Sequence, residues 1–332
     1  MIKQLQIPSG EVRGFNYQPG YSSCTFETWR NFDAEVFRRE LANGKKHFPR
    51  MNTVRLWLSW NAWGRGPQKM GDALKRALDL CEEFDLKAIP VLYNRWHDSR
   101  QDCDGIYLDH FLPGSSWLQK YGLPGREYTR FMGETFKDDD RILVWDLCNE
   151  PFAYDEKCPM AKEFIPHELN WLKTVHEDLR SANITQPIGI GSWSDHFDDL
   201  IEDMVDCFLT HAYLHVPADA GHTEIPQTSL QSFQDKVDRM LNRSRSSGKP
   251  LIITETCWGS FDDAFRAELV RRTLEILRNN NIGFLVHALY ESDCADLHRP
   301  EYGLTSPDIG SMYFISREGS IRPGHEVINQ FM

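Results

Sequence analysis

Two glutamates follow short apolar runs that lie about a third of the chain apart. Glu150 ends the run that begins at Arg141, and Glu255 ends the run that begins at Pro250. A carboxylate at the mouth of a buried strand is costly to desolvate, and a pair of carboxylates is the arrangement that cleaves glycosidic bonds. The two runs therefore predict a hydrolytic site. In the alternative interpretation both carboxylates cap helices, and Pro151 after Glu150 fits a helix start.

The elements that must position these groups alternate between apolar runs and amphipathic stretches. An order of strand, helix, strand implies parallel pairing with right-handed crossovers, and eight such strands close a barrel. The predicted strands are 12–17, 53–57, 88–93, 142–147, 188–192, 207–211, 251–254 and 284–288. A doubly wound sheet would bring a glycine-rich phosphate loop after the first strand, whereas Asn16-Tyr17-Gln18-Pro19-Gly20 stands there.

The chain length fits one decorated barrel. A (β/α)8 TIM barrel needs about 250 residues, and this chain has 332. We therefore expect a single α/β domain over residues 1–332, with an extended loop after strand 3 from Asn94 to Pro124. Apolar residues recur at helical spacing after Glu255, and Ser260 with Asp263 resembles a capping box before them.

The rim of a TIM barrel carries its functional groups, which follow the carboxyl ends of the strands. Here these positions combine carboxylates, imidazoles, amides and aromatic rings. Aromatic rings stack on the apolar faces of sugars, and amides and charged groups bond their hydroxyls, so the rim predicts a carbohydrate substrate. The candidate substrate-binding residues are Asn149, Arg55, His211, Tyr213, Asn94, Trp96, His97, Trp258 and Tyr290.

This pattern resembles the retaining glycoside hydrolases of clan A, which are (β/α)8 barrels, and within them most of all the cellulase- and mannanase-like family 5. The matching features are Asn149-Glu150-Pro151 after strand four, His211-x-Tyr213 after strand six, Glu255 at the end of strand seven, and Arg55 in strand two. At the level of strand order the resemblance covers nearly the whole chain.

The resemblance implies cleavage of β-glycosidic bonds in an oligo- or polysaccharide by double displacement. Glu150 is then the acid/base and Glu255 the nucleophile, while Asn149 bonds the sugar 2-hydroxyl. Arg55 and Tyr213 hold Glu255 in its ionised, oriented state.

Alternatives remain open for three of these residues. Arg55 could neutralise Asp146 inside the barrel, and His211 and Tyr213 could be satisfied core residues.

Two positions depart from the family pattern. After strand three the family usually has a histidine in the site, and here Asn94 and His97 compete for that place. After strand eight it usually has a tryptophan under the sugar. The run from Val286 to Glu291 contains no tryptophan, so either Tyr290 takes that role or the platform differs.

Bulk properties limit the partners and the compartment. The formal net charge of −12 argues against nucleic acid or an anionic membrane as a partner. No apolar run approaches the ~20 residues of a membrane span, and no leader is visible at the N-terminus. The eight cysteines form no CxxC pair, which favours a reduced, cytoplasmic protein. The sequence does not predict the oligomeric state.

Competing functions follow from the same rim. The main alternative is a catalytically inactive carbohydrate-binding protein on a barrel scaffold, although the intact carboxylates argue against it. A metal-dependent barrel hydrolase usually carries His-x-His after strand one, where Asn16-x-Gln18 stands, so we expect no metal and no cofactor. The loop from Asn94 to Pro124 favours exo action or small substrates, because it could wall off one end of the cleft.

Overall fold

Eight parallel strands close into a barrel in the computed structural model, which describes residues 4–95, 105–153, 160–217, 224–293 and 310–332. Each strand pairs with the next along the chain, and the first pairs with the last. In order, β1 to β8 are Arg13–Asn16, Thr53–Trp57, Lys87–Asn94, Trp145–Asn149, Ile188–Ser192, Phe208–His211, Leu251–Glu255 and Gly283–Val286. The predicted (β/α)8 fold is confirmed.

Ten α-helices of the described chain surround or decorate the barrel. In order, α1 to α10 are Thr25–Arg30, Ala34–His47, Trp60–Arg65, Pro67–Glu83, Ser116–Tyr121, Arg126–Phe136, Ala161–Ser181, Asp198–Ile201, Gln227–Ser247 and Asp263–Asn279. The long helices α2, α4, α6, α7, α9 and α10 lie in six of the seven connections between strands, and the short α8 lies between β5 and β6. No helix in these ranges combines the length and the apolar character that a membrane crossing requires.

Alternation along the strands separates two apolar cores. Outward residues such as Val54 and Ile253 join a large cluster with the surrounding helices. Inward residues such as Ile89 and Leu285 form a smaller cluster, against which Leu5 near the N-terminus packs. The upper part of the barrel interior is polar, because the inward positions at the carboxyl ends of the strands carry charged and amide side chains. This polar layer positions the candidate site.

Most differences from the predicted elements are shifts of a few residues. The fourth strand begins at Trp145 rather than at residue 142 and ends at Asn149. The extended connection after β3 contains α5 as well as irregular chain. The capping box predicted before α10 is wrong, because Asp262 caps that helix by accepting from the Phe265 N–H at 2.9 Å. Ser260 instead accepts from the Asp262 N–H at 3.1 Å, one step earlier.

Candidate active site

Arg55 lies at the centre of a buried cluster at the C-terminal end of the barrel. Its Nε and Nη2 atoms donate to Oδ2 of Asp146 at 3.0 and 2.8 Å, and Nη1 donates to Oε1 of Glu255. The guanidinium also donates to Oδ1 of Asn16 at 2.9 Å and to Oδ1 of Asn149 at 2.7 Å. Arg55 therefore pairs with Asp146 and with Glu255 at once, so the two alternatives raised by the sequence are compatible.

Gly191 on β5 leaves the space that this cluster occupies. A Cβ atom there would lie 2.8 Å from Nη2 of Arg55 and 2.9 Å from Oδ2 of Asp146, so a side chain would displace the ion pair. The Gly191 N–H donates to Oδ1 of Asp146 at 2.9 Å, and its carbonyl accepts from the Glu150 N–H at 2.7 Å. Strand β5 thus fixes the carboxylate of Asp146 on β4 and the backbone of Glu150 just after it.

Glu255 is the last residue of β7 and is held from two sides. Tyr213 donates its hydroxyl to Oε2 at 2.9 Å, opposite the contact with Arg55. Burial disfavours the charged carboxylate, but the positive charge of the Arg55 guanidinium opposes that effect, and the pKa of Glu255 lies below its usual range. The carboxylate is therefore ionised and oriented at neutral pH.

Glu150 follows β4 with a backbone φ of +49°, a left-handed conformation that is uncommon for a residue with a Cβ atom. Its Oε1 atom lies 2.7 Å from Nδ1 of His211. Burial raises the pKa of Glu150 to about 7, although the positive charges of Arg55 and Lys236 oppose that shift. A large fraction of the Glu150 carboxyl groups is therefore protonated at neutral pH.

His211 brings the two carboxylates together. Its Nδ1 atom also lies 3.5 Å from Oε2 of Glu255, and one oxygen of each carboxylate lies within 4.8 Å of the other and of the ring. Oxygens this close fit the ~5–5.5 Å separation of the carboxyl groups in enzymes that retain anomeric configuration better than the ~6.5–9.5 Å separation in inverting ones. Burial lowers the pKa of His211 to about 3, so the ring is neutral.

An amide pair and an aromatic pair flank the carboxylates. Asn149 donates its side-chain N–H to Oδ1 of Asn94 at 2.9 Å. The ring of Trp258 stacks on that of Tyr213, with 4.0 Å between centroids and 22° between planes. These four predicted residues therefore lie together with the charged cluster.

Trp96 and His97, which the sequence also selected, lie outside the described residues. Their place at the rim stays a prediction.

Tyr290 was predicted to contact substrate, and the structure places it elsewhere. It is 1% exposed, and its hydroxyl accepts from the Asn43 side chain on α2 at 3.2 Å, so it packs between barrel and helix. His287 takes the rim position after β8 instead. Its Nδ1 atom lies 3.8 Å from Oε2 of Glu255 and 3.5 Å from the Tyr213 hydroxyl.

Strand alternation in the sequence already places His287 at the rim, although it was not among the candidate substrate-binding residues. Leu285 points into the barrel, so the residue two positions later on the same face also points inward. Burial lowers the pKa of His287 to about 4, and a neutral ring therefore faces the carboxylate of Glu255.

Glu150, His211 and Glu255 form the one cluster of potential metal ligands found in the described part of the chain. The Arg55 guanidinium already contacts the carboxylate of Glu255, so its charge would repel a cation at this place. The hydrogen bonds of the cluster fit proton transfer better than metal binding.

A sequence profile of the cellulase family, glycosyl hydrolase family 5, matches residues 18–293. The chain belongs to glycosyl hydrolase family 5. Membership of family 5 makes it a retaining glycoside hydrolase of clan A, as the motifs predicted, and therefore a protein with a carbohydrate substrate. No curated protein matches the chain significantly by sequence.

Solved structures share the fold of this family 5 chain at low identity. Exo-β-1,4-mannosidase Op5Man5 from Opitutaceae bacterium strain TAV5 has a TM-score of 0.72 at 18% identity, over 96% of this chain and 58% of that one. GH5_18 from Streptomyces cattleya has a TM-score of 0.70 at 13% identity, over 96% and 80%. XacCel5A, solved with cellopentaose, has a TM-score of 0.59 at 14% identity, over 97% and 99%. This chain thus spans little more than half the length of the mannosidase.

Proposed function

We propose that this family 5 chain hydrolyses β-glycosidic bonds in an oligo- or polysaccharide, with Glu150 as acid/base and Glu255 as nucleophile. One observation carries the proposal: the two carboxylates meet at His211, and their pKa values are displaced in opposite directions. A protonated carboxyl beside an ionised one is what double displacement requires. We propose in addition that residues 1–332 form a single catalytic domain.

In the first step, Glu255 attacks the anomeric carbon while the bond from that carbon to the leaving oxygen breaks. Glu150 gives its proton to the leaving oxygen. Arg55 and Tyr213 keep the nucleophile charged and pointed at the sugar until the new ester bond forms.

In the second step, the ester bond at Glu255 is hydrolysed. The esterified carboxyl has lost its charge, so nearby Glu150, now ionised, becomes a weaker base than before but remains able to deprotonate water. The resulting hydroxide attacks the anomeric carbon, the ester bond breaks, and Glu255 regains its charge. Asn149 supports both steps in this proposal by bonding the sugar 2-hydroxyl.

The sugars to test first follow from the similar structures. One is named an exo-β-1,4-mannosidase, a GH5_18 variant was solved with Manβ1-4GlcNAc, and XacCel5A was solved with cellopentaose. We infer a β-1,4-linked mannoside or glucoside. The extended connection between β3 and α6 supports exo action on short chains, and an early fall in the viscosity of a mannan or β-glucan solution would contradict that.

The decisive experiment is release of nitrophenol from aryl β-mannosides, β-glucosides and β-N-acetylglucosaminides. We expect turnover of at least one substrate and its abolition in Glu255→Gln. Glu268→Gln on α10 is the matched control, since that carboxylate is 47% exposed and pairs only with a neighbouring arginine in the described chain. Near-full activity of Glu255→Gln would refute the assignment.

The product anomer tests the stereochemical part of the proposal. Proton NMR should show the β-anomer as the first sugar released, followed by slow mutarotation. If the α-anomer appeared first, the reaction would be inverting. If sugars raised the melting temperature but no substrate in the panel turned over, the inactive binding protein would be the better account.

A further inference from the structure

A cavity of about 400 Å³ lies beside the carboxylate cluster. Tyr213, whose hydroxyl holds Glu255, forms part of one wall together with His215. One face of α9 forms another wall, with Ser229, Ser232, Lys236 and Arg239 at helical spacing. We call this space the basic cavity.

The lining of the basic cavity is positive although the protein is acidic. The whole chain has a formal net charge of −12, yet the described residues around this space include Lys236, Arg239 and His215 and no aspartate or glutamate. The hydroxyls of Ser229 and Ser232 add neutral hydrogen-bonding groups. Such a lining suits an anionic group that accepts charge-assisted hydrogen bonds.

The carboxylates behind the α9 wall leave part of the positive charge of the basic cavity available to a ligand. Asp195 accepts from Nε of Arg239 at 2.8 Å and is itself 12% exposed, whereas 56% of the Arg239 side chain is exposed. The guanidinium therefore retains open surface for a ligand. Burial lowers the pKa of Lys236 even though Asp195 and Asp198 attract its charge, so an anion beside its ammonium would offset part of the desolvation.

The position of Lys236 shows which part of a substrate the basic cavity faces. Its Nζ atom donates to the backbone carbonyl of His211 at 3.0 Å, and the ring of His211 bonds Glu150. The charge of Lys236 also acts on the pKa of Glu150. In the proposed mechanism Glu150 protonates the leaving oxygen, so the leaving sugar lies on this side of the site.

We propose that the basic cavity binds a carboxylate or phosphate carried by the leaving sugar, so that the preferred substrate is an acidic or phosphorylated oligosaccharide. The inference rests on the proposed function, because the assignment of the leaving side depends on Glu150 being the acid. Arg239 and Lys236 bind the anion, and Ser232 donates its hydroxyl to it.

The test compares matched ligands that differ only in one charged group. Cellobiose and β-1,4-mannobiose are titrated into Glu255→Gln beside the same disaccharides with C6 of the reducing-end sugar oxidised to a carboxylate or carrying a phosphate. We expect at least one anionic ligand to bind about tenfold more tightly than its neutral parent, and this advantage to shrink as salt is added. The two anions distinguish a carboxylate site from a phosphate site. The same pairs are assayed for kcat/KM with the wild-type enzyme, which tests the preference independently of the variant.

Arg239→Gln should reduce the advantage of the anionic ligand and leave binding of the neutral ligand unchanged. Arg243→Gln is the control, since Arg243 lies one turn further along α9, pairs with Asp199 and Glu202, and does not line the cavity. Equal affinity for neutral and anionic ligands would overturn the inference, as would an advantage that survives the combined Arg239→Gln and Lys236→Gln changes. Cleavage of neutral disaccharides without any preference for anionic ones would refute the anion site and leave the proposed function intact. Anionic preference in binding without turnover would instead count against the proposed function.

Discussion

The Nδ1 atom of His211 lies 2.7 Å from Oε1 of Glu150, and the other ring nitrogen is buried without a hydrogen-bond partner in the described structure. A buried N–H without an acceptor is rarely tolerated, so we infer that the proton of this neutral ring is on Nδ1 and is donated to Glu150. Oε1 then accepts a hydrogen bond in both protonation states. The acidic proton of Glu150 is left on Oε2.

His211→Ala should therefore lower kcat by about tenfold to a hundredfold and move the basic limb of the pH profile upward. The donated hydrogen bond favours the ionised carboxyl, so its loss raises the pKa of Glu150. His211→Asn places an amide N–H close to the position of Nδ1 and should recover part of both effects. Profiles of kcat against pH for the three proteins check this, and equal losses in both variants would indicate a purely structural role.

The pH dependence of the wild-type enzyme should be bell-shaped. Glu150 must be protonated for the first step, so activity falls as pH rises through its pKa of about 7. Glu255 must be ionised, so activity falls again as pH drops through its lowered pKa. An initial-rate profile of kcat/KM measures both limbs. A maximum displaced to clearly alkaline pH would contradict the assignment of Glu150 as the acid.

Glu150→Ala should slow the cleavage of a substrate more strongly when its leaving group needs a proton to depart. A dinitrophenolate leaves without protonation, whereas a sugar alkoxide needs the proton of Glu150. We therefore expect kcat/KM to fall by about 10²–10⁴-fold for an oligosaccharide and far less for a dinitrophenyl glycoside. Added azide should raise kcat for the dinitrophenyl substrate by attacking the glycosyl-enzyme at its anomeric carbon. If kcat/KM fell by the same factor for both substrates, Glu150 would not be the acid.

Replacement of Arg55 should cost both stability and activity. Arg55→Met leaves Asp146 and Glu255 buried without their counter-charge, so we expect the free energy of unfolding to fall by about 3–5 kcal/mol. Urea titration measures this change. The double change Arg55→Met with Asp146→Asn should recover part of the stability, because one unpaired charge is removed. Activity should stay low in both, since Glu255 still lacks its cation.

The sequence was sufficient for the barrel because most strands lie in apolar runs bounded by turns, and parallel order follows from the helices between them. It was also sufficient for the gathering of Arg55, Asn149, Glu150, His211 and Glu255, since the carboxyl ends of all eight strands meet at one rim. The fold and the gathering of these residues can both be predicted when the end of each strand is known to within a residue or two.

Positions beyond a strand end were less predictable. Strand alternation reaches from Leu285 to His287, but the chain then leaves the sheet, and nothing local in the sequence shows that Tyr290 turns back towards α2. The prediction of the α10 cap was wrong for a related reason. Ser260 and Asp262 are both good capping residues, and only the path of the chain between them decides which one is used.

Single substitutions of Tyr290 and His287 test whether His287, rather than Tyr290, contacts the substrate after β8. Tyr290→Phe removes only the hydroxyl that accepts from Asn43, so it should lower the free energy of unfolding by about 1 kcal/mol and leave KM unchanged. His287→Ala removes a ring next to Glu255 and should alter KM and kcat with little effect on unfolding. Kinetics and urea titration of both variants separate the cases. A raised KM in Tyr290→Phe, with His287→Ala kinetically silent, would restore the original assignment.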